Sequence, residues 1–277
     1  GATCTVTVVY TPPSQAVHTG QLTIGTAVVP MRGAGTTAAV AQVYAANMAG
    51  GSVSVIDPVT NLVRTVVGVG SEPRNLAVTP GGASVYVPNR LDPSVSVIRT
   101  SDNTVVATIA DASFAEPFAA APTPTGNEVW VVNRASTEIS IIDTTSNTVV
   151  GTADGEVCLS NPEAIVANPR THEMYAISRG NSTVCVFDRI TRLYTRKFVL
   201  GGDPRHAVVL PDGSALYVDG GVSGAARVAL PAGTVTYLPG AEGESMDMKA
   251  DGSKIYVARM SSGVGVIKTA TNTFTSI

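Results

Sequence analysis

The stretch NEVWVVNRASTEISIIDTTSNTVVGT, residues 127–152, decides the fold of this 277-residue chain. It contains three short runs of branched and aromatic residues, which favour β-strands. The two segments between these runs are rich in Asn, Asp, Ser and Thr, which favour turns. It carries no residue combination that is typical of an active site. What it indicates about the fold depends on whether the chain repeats it.

The chain repeats this pattern six times. In each copy a strand is built around one aromatic residue, and these aromatics follow one another at intervals of 39 to 45 residues: Tyr44, Tyr86, Trp130, Tyr175, Tyr217 and Tyr256. Two further apolar runs follow each aromatic. A fourth run precedes most of them and opens on a polar residue, often with Pro, as in EPRNLAVTP and NPEAIVANP. Four strands in a unit of about 40–45 residues are typical of a β-propeller.

We therefore predict an all-β chain with a β-propeller of four-stranded antiparallel blades over residues 34–277 and a separate N-terminal strand pair over residues 1–33. The pair would comprise strands at Cys4–Tyr10 and Gln21–Val29. Two strands cannot form a stable sandwich alone. They are the remnant of an upstream domain, the completion of a seventh blade, or strands donated to another subunit. The blade count is accordingly predicted as six or seven.

Composition and charge exclude several classes of partner. The net charge is −3 and no basic run occurs, so nucleic acid is not an expected partner. No apolar stretch approaches the roughly 20 residues of a membrane helix. The first residues, GATCTVTVVY, do not resemble a secretory signal. Few charges, many Thr and Ser, and three cysteines nevertheless suit a secreted, cell-surface or periplasmic protein.

Two copies carry a resemblance to a known family. VYVPNRLDPSVSVIRTSDNTVVATI (residues 85–109) and VWVVNRASTEISIIDTTSNTVVGT (residues 129–152) resemble the YVTN family of β-propeller repeats. This resemblance implies a bacterial or archaeal surface protein, and lactonase-like and lyase-like enzymes share its architecture. Residues 1–33 are similar to the last two strands of the Ig-like modules that often precede propellers in bacterial surface proteins.

A group of polar residues precedes the innermost strands, where we expect one mouth of the central channel. Its members are Glu72, Arg74, Glu116, Glu163, Asp203, Arg205, His206 and Glu244. Arginine binds carboxylate and phosphate in a bidentate manner, so Arg74, Glu116, Glu163, Arg205, His206 and Glu244 are the candidate ligand-binding residues. The alternative is that these charges pair with one another.

Histidine is scarce, and this limits the chemistry that we expect. His206 lies in the mouth group, whereas His18 and His172 fall in a connection and a turn. A metal centre built on several imidazoles is therefore not expected. The carboxylate oxygens at the mouth are suitable ligands for a calcium or magnesium ion, so such a site is left open, although no EF-hand loop is present. We expect no other cofactor.

Other recurring residues have structural interpretations. Arg90, Arg134, Arg179 and Arg259 follow the aromatic strands and are predicted to bond loop carbonyls or an Asp of the adjoining blade. Asp57, Asp143 and Asp188 are predicted to cap turns. Cys158 and Cys185 form a disulfide if they face the same side, and otherwise are buried free thiols, with Cys4 left over.

The leading functional expectation is a non-catalytic scaffold that binds protein partners or assembles with itself through residues 1–33, because propeller loops vary without disturbing the core. An enzyme is considered less favoured. The alternative is a hydrolase or lyase of the lactonase or lyase kind, with its site at the channel mouth, His206 as base and Glu163 or Glu244 as its partner.

Overall fold

The computed structural model describes residues 17–24, 27–34, 41–221, 224–259 and 263–276. Two paired strands come first, β1 (Val17–Ile24) and β2 (Ala27–Ala34). They form an antiparallel sheet of their own, in which Ile24 lies opposite Ala27. The single strand predicted over Gln21–Val29 is therefore divided between two strands. The strand predicted at Cys4–Tyr10 lies outside the described residues, as does Cys4 itself.

Six further sheets follow in chain order. The first has three described strands: β3 (Val43–Asn47), β4 (Ser52–Ile56) and β5 (Val63–Gly68). A single 3-10 turn, Met48–Gly50, joins β3 to β4. The second comprises β6 (Ala77–Val78), β7 (Ser84–Asn89), β8 (Ser94–Arg99) and β9 (Thr104–Ala110). The third comprises β10 (Pro117–Pro122), β11 (Glu128–Asn133), β12 (Glu138–Asp143) and β13 (Thr148–Asp154).

The remaining three sheets repeat the same order. The fourth comprises β14 (Pro162–Ala167), β15 (Glu173–Ser178), β16 (Thr183–Asp188) and β17 (Leu193–Val199). The fifth comprises β18 (Ala207–Val209), β19 (Ala215–Gly221), β20 (Gly224–Ala229) and β21 (Thr234–Leu238). The sixth comprises β22 (Ser245–Met248), β23 (Lys254–Arg259), β24 (Gly263–Lys268) and β25 (Thr273–Ser276).

These sheets are the blades of a six-bladed β-propeller. Every strand within a blade is antiparallel to its neighbour in the chain, and the first strand of each four-stranded blade faces those of the adjacent blades. The fold predicted from the repeat is thus confirmed, and the blade count is six rather than seven. No helix in the described part of the chain is long and apolar enough to cross a membrane.

The core lies between the blades, because the middle strands of each blade are apolar on both faces. β11 and β15 bury five consecutive residues each, and Trp130, Tyr86, Tyr175 and Tyr217 are among the largest fully buried side chains. Tyr256, the aromatic residue of the sixth copy, differs from these four because it is 41% exposed.

Turn chemistry repeats with the blades, as predicted. A carboxylate oxygen of Asp57, Asp143 and Asp188 accepts backbone N–H groups two and three residues later at 2.8–3.2 Å. These turns close the connection between the third and fourth strands of their blades. They are structural elements.

Cys158 and Cys185 form a disulfide bond that joins the connection after β13 to β16. The Cα atoms are 5.9 Å apart, and both residues are 1% exposed or less. The disulfide alternative is therefore confirmed over that of two free thiols.

Candidate functional site

Ten charged side chains at one end of the channel form a belt of alternating arginines and carboxylates. We define this belt as Glu72, Arg74, Arg90, Glu116, Arg134, Glu163, Arg179, Asp203, Arg205 and Glu244. It contains five arginines and five carboxylates, so its charges balance. The structure therefore brings together all the predicted mouth residues except His206, which lies just below the belt, and adds three of the four repeated arginines.

The belt is made of two ion-pair networks. In the first, Arg90 lies 2.8 Å from both Glu72 and Glu116, and Arg74 lies 3.4 Å from Glu72. In the second, Glu163 contacts Arg134 at 3.3 Å and Arg179 at 2.9 Å. Arg179 also contacts Asp203, Arg205 lies 2.8 Å from Asp203, and Arg205 contacts Glu244.

The repeated arginines join each blade to the next. Arg90, Arg134 and Arg179 follow the second strand of blades two, three and four, and each reaches a carboxylate at the start of the following blade. The prediction that they bond an Asp of the adjoining blade is confirmed for Arg179 alone, because the carboxylate that Arg90 and Arg134 reach is that of a Glu. Arg259 differs, because its guanidinium lies 5.6 Å from the ring of Phe274 in its own blade.

These contacts bear on the predicted partners of His206. Glu163 is 7% exposed and is held by two arginines, while Glu244 is held by Arg205. Nδ1 of His206 is buried and has no hydrogen-bond partner. Neither carboxylate therefore orients His206 through Nδ1, and the partner assignments Glu163 and Glu244 are not supported.

Below the belt, the channel contains a cavity of about 640 Å³. Its walls are the first strands of blades two to five and the turns that follow them: Asn75, Leu76, Pro80, Ala119–Thr123, Pro124, Ala164–Ala167, Pro169, Arg170, His206 and Pro211. Most of this wall is apolar. Ligand cavities commonly have a volume of about 300–1,000 Å³ and an apolar lining with a few placed polar groups, so this cavity fits that description.

Two polar wall residues, Asn75 and His206, occupy the same position of the repeat. The corresponding residues in blades three and four are Ala119 and Ala164, and Asn75 pairs with Ala119 in a parallel bridge, which places them at one level of the channel. Blades two and five are opposite each other in a ring of six. Asn75 and His206 therefore project from opposite walls, and the two alanines leave space between them.

The surroundings of His206 favour the neutral imidazole. Burial lowers the pKa of His206, while the nearby charge of Asp247 and a hydrogen bond to the backbone of Met246 act in the opposite direction. Nδ1 is buried and has no hydrogen-bond partner, so no bond at this atom opposes the effect of burial. A neutral imidazole with an available lone pair is able to accept a proton.

The fully buried Asp219 lies behind His206 and is not among the predicted site residues. One carboxylate oxygen accepts the backbone N–H groups of Arg205 at 3.0 Å and His206 at 2.6 Å, and the other is buried without a partner. Burial raises the pKa of Asp219 to about 7, against the effect of these two hydrogen bonds. A signal in the sequence exists, because the other five copies carry Ala46, Pro88, Val132, Ile177 and Ala258 at this position.

No group of three or more His, Cys, Asp or Glu side chains in the described residues is gathered closely enough to hold a metal ion. At the mouth, every belt carboxylate contacts at least one guanidinium group. These contacts do not favour the calcium or magnesium site that the sequence leaves open.

No protein-family model matches this sequence, and no curated protein matches it. Solved structures that share its fold include the following two. Hydrazine synthase from Kuenenia stuttgartiensis matches with a TM-score of 0.72 and 23% identity, over 82% of this chain and 73% of that one. The dihydro-heme d1 dehydrogenase NirN, in complex with DHE, matches with a TM-score of 0.67 and 16% identity, over 86% of this chain. The match spans about half of the NirN chain, 53%.

These matches contradict the leading functional expectation. Both similar structures are those of enzymes, so the prediction of a non-catalytic scaffold, and of a chain more likely not to be an enzyme, is wrong. The alternative of a catalytic propeller is better supported. At identities below 25% the likeness itself shows the fold alone, and any particular reaction must be argued from the site.

Proposed function

We propose that this chain is a hydrolase or lyase that binds a small carbonyl compound, such as a lactone or an ester, in the central channel and uses His206 as general base. The observation that carries this proposal is the imidazole of His206 on the wall of the 640 Å³ cavity, with a lowered pKa that favours its neutral form. A base must present a free lone pair to its substrate, and this is the one imidazole among the cavity-lining residues.

The opposite wall supports the same assignment. The amide of Asn75 donates a hydrogen bond of 3.1 Å to the backbone carbonyl of Glu163, which fixes its direction. A primary amide has two N–H donors, and the second is able to polarise a substrate carbonyl. In hydrolysis, the imidazole takes a proton from water as the water oxygen attacks the carbonyl carbon; the acyl C–O bond then breaks and the imidazolium returns the proton to the leaving alkoxide. In elimination, the imidazole takes the proton from the carbon next to the carbonyl, a C=C bond forms, and the β-substituent leaves with the electrons of its bond to carbon.

The charge and lining of the channel favour an uncharged substrate. The belt is internally balanced, and apart from Asn75, Arg170 and His206 the walls consist mainly of Ala, Ile, Val, Leu and Pro. An anion would lose its hydration at these walls, where the belt guanidinium groups are already paired and that of Arg170 donates to the backbone carbonyl of Pro211. In a neutral ester or lactone, the carbonyl oxygen is the main group that needs a hydrogen bond. The side-chain amide of Asn75 is able to donate that bond.

The test measures turnover of γ- and δ-lactones, aryl esters and a β-acyloxy ketone by wild type, H206Q and H172Q. His172 is exposed, so H172Q makes the same change away from the channel. We expect kcat/KM to fall by about 10²–10⁴-fold in H206Q and to be unchanged in H172Q. Products from lactones and esters indicate a hydrolase, and an enone from the ketone indicates a lyase. Absence of turnover by the wild type, or equal turnover by H206Q, would overturn the proposal.

We further propose that the protein works outside the cytoplasm, in the periplasm, at the cell surface or as a secreted protein. The Cys158–Cys185 disulfide supports this, because buried structural disulfides persist in oxidising compartments. The motifs at residues 85–109 and 129–152 support membership of the YVTN repeat family, and the sequence of residues 1–33 supports an Ig-like origin for that segment. Export is tested by fractionating the native host and locating the chain with an antibody.

A further inference from the structure

The first strand of blade five departs from the other blades at the residue that faces the channel. β18 has three residues, against six in β10 and β14. In blades three and four the residue equivalent to His206 lies within the strand, where Ala119 pairs with Val132 and Ala164 with Ile177. His206 lies just before β18, where its carbonyl accepts the backbone N–H of Asp219 but its own N–H bonds a side chain instead of a backbone carbonyl.

The side chain of Asp219 takes the place of that ladder. Its carboxylate accepts the N–H groups of Arg205 and His206, while its own N–H bonds the carbonyl of His206 at 3.1 Å. Two consecutive N–H groups bound to one oxygen fix the plane of the peptide between them. This in turn fixes the Cα–Cβ direction of His206, and with it the wall position of the imidazole.

The next residue permits this close approach. Gly220 has φ of 66°, and its carbonyl accepts the N–H of Asp203 at 2.6 Å. A Cβ at this position would collide with the backbone carbonyl of Asp203. The Asp219–Gly220 pair thus replaces the residues found in the other copies, for example Val132–Asn133 and Ile177–Ser178. Asp219 and Gly220 both contact the backbone of residues 203–206, in the same blade as His206.

We propose that Asp219 is the positioning residue for His206, holding the backbone of residues 205–206 so that the imidazole stays on the cavity wall. This inference rests on the proposed function, since it assigns a role towards the general base. Its structural part is nevertheless measurable without any substrate. The charged groups that face Asp219 from the adjoining elements are Arg205 and Glu244, both in the belt.

Nuclear magnetic resonance of the imidazole ¹⁵N nuclei provides the test, because the chain has only three histidines. D219V introduces the residue type of blade three, removes the acceptor and keeps a similar shape. We expect the His206 pKa to rise towards its ordinary value of 6.5 in D219V and its tautomer to become mixed. D219N keeps one acceptor oxygen and should restore the wild-type tautomer. I177V, a change at the equivalent position of blade four, should leave the His206 signals unchanged.

A second measurement needs no destabilising substitution. In the wild type, the amide protons of Arg205 and His206 should shift together with pH as Asp219 titrates, and should not do so in D219N. Unchanged His206 ring signals in folded D219V, or amide protons that do not respond to Asp219, would overturn the inference. Should the signals behave as expected while the substrate panel shows no turnover, the positioning role stands and the proposed function fails.

With an active substrate, the positioning role also predicts a kinetic pattern. D219V should lower kcat by about 10²-fold with little change in KM, because a displaced base affects the transition state more than binding. D219N should recover most of the activity. Equal loss in both variants would contradict a positioning role through the backbone.

Discussion

The hydroxyl of Tyr86 in blade two donates a hydrogen bond of 2.6 Å to the side-chain oxygen of Asn147 in the turn of blade three. Tyr44 makes the same bond to Asn103 at 2.7 Å, and Tyr217 to Asn272. The three asparagines have φ between 51° and 56°, a conformation that Asn tolerates better than most residues. The aromatic strand of one blade is thus tied to the last turn of the next.

The interface between blades three and four is held by different residues. Trp130 has no hydroxyl, and its indole N–H donates to Glu128 at 3.1 Å, while Arg192 occupies the turn position of Asn and contacts Glu128 at 2.8 Å. Trp and Arg have therefore replaced Tyr and Asn together. We expect W130Y to cost about 3 kcal/mol of unfolding free energy through lost packing. The double variant W130Y/R192N should recover about 1 kcal/mol through a new Tyr–Asn bond.

Chemical denaturation of the wild type, both single variants and the double variant forms the mutant cycle that measures this coupling. The Asn in R192N also relieves the left-handed backbone, where Arg192 has φ of 61°. That relief is present in the single variant as well, so it cancels in the coupling free energy. A coupling near zero would show that the two replacements are independent.

The belt predicts unequal losses for two carboxylates of similar chemistry. Glu163 is 7% exposed and serves Arg134 and Arg179, whereas the Glu116 side chain is 39% exposed and serves Arg90. E163Q should cost about 2 kcal/mol, because it leaves Arg134 without a carboxylate and removes one of the two carboxylates that hold Arg179. E116Q should cost less than about 1 kcal/mol, because water and salt screen an exposed pair.

Denaturation at low and high salt separates the two cases. The loss in E116Q should shrink at about 0.5 M salt, where the screening length is only a few ångströms, and the loss in E163Q should change less. Equal losses at both carboxylates would mean that the degree of burial does not control the strength of this belt.

The repeat makes the fold predictable, because the aromatic strand returns in all six copies and the Asp turn in three of them, and each is a local feature. The blade count stays open on sequence alone, since residues 1–33 fit several roles. The residues around His206 are harder to predict. The position of Glu163 and Glu244 in the repeat predicts that they lie at the channel mouth. Their guanidinium partners come from neighbouring strands. The spacing of residues along one blade does not show which side chains of different blades come into contact.

Asp219 illustrates the same limit. The sequence of blade five departs from the repeat motif. When the six copies are aligned, blade five differs from the others but the alignment gives no reason for the difference. The role of the carboxylate becomes clear in the folded chain, where the order of the strands places it against the backbone of residues 205–206. A polar residue at a position that is apolar in five other copies is the signal that sequence analysis could have used.

The disulfide predicts a measurable share of the stability. It closes a loop with a sequence separation of 27 residues, for which the loop-entropy model gives about 3.5 kcal/mol. We expect the C158A/C185A variant to lose about 3 kcal/mol of unfolding free energy. Wild type unfolded in the presence of reductant should show the same loss, which serves as an independent control.

Burial of both cysteines adds a kinetic expectation. Cys158 and Cys185 are almost inaccessible to water, so a reductant should not reach the bond in the folded protein. Thiol titration should therefore detect both sulfurs only after denaturation in reductant. Rapid labelling of either cysteine in reduced, folded protein would show that blade four opens without global unfolding.

The buried carboxyl of Asp219 predicts how stability depends on pH. Its pKa is raised from the ordinary value of 3.8 to about 7, so between these values the folded chain holds a proton that the unfolded chain has released. Unfolding free energy then falls as pH rises through this window. Three pKa units correspond to a contribution of about 4 kcal/mol, present below about pH 4 and lost by about pH 7.

His206 acts in the opposite direction, because its lowered pKa means that the stability it contributes is lost as pH falls below 6.5. The comparison that isolates Asp219 is therefore the difference in unfolding free energy between wild type and D219N, measured from about pH 4 to pH 8. The side-chain amide of the D219N variant does not titrate, so this difference should decline steadily over the window and level off above it. A flat difference would mean that Asp219 is already ionised at about pH 4 in the folded protein, and that its two N–H bonds outweigh the cost of burial.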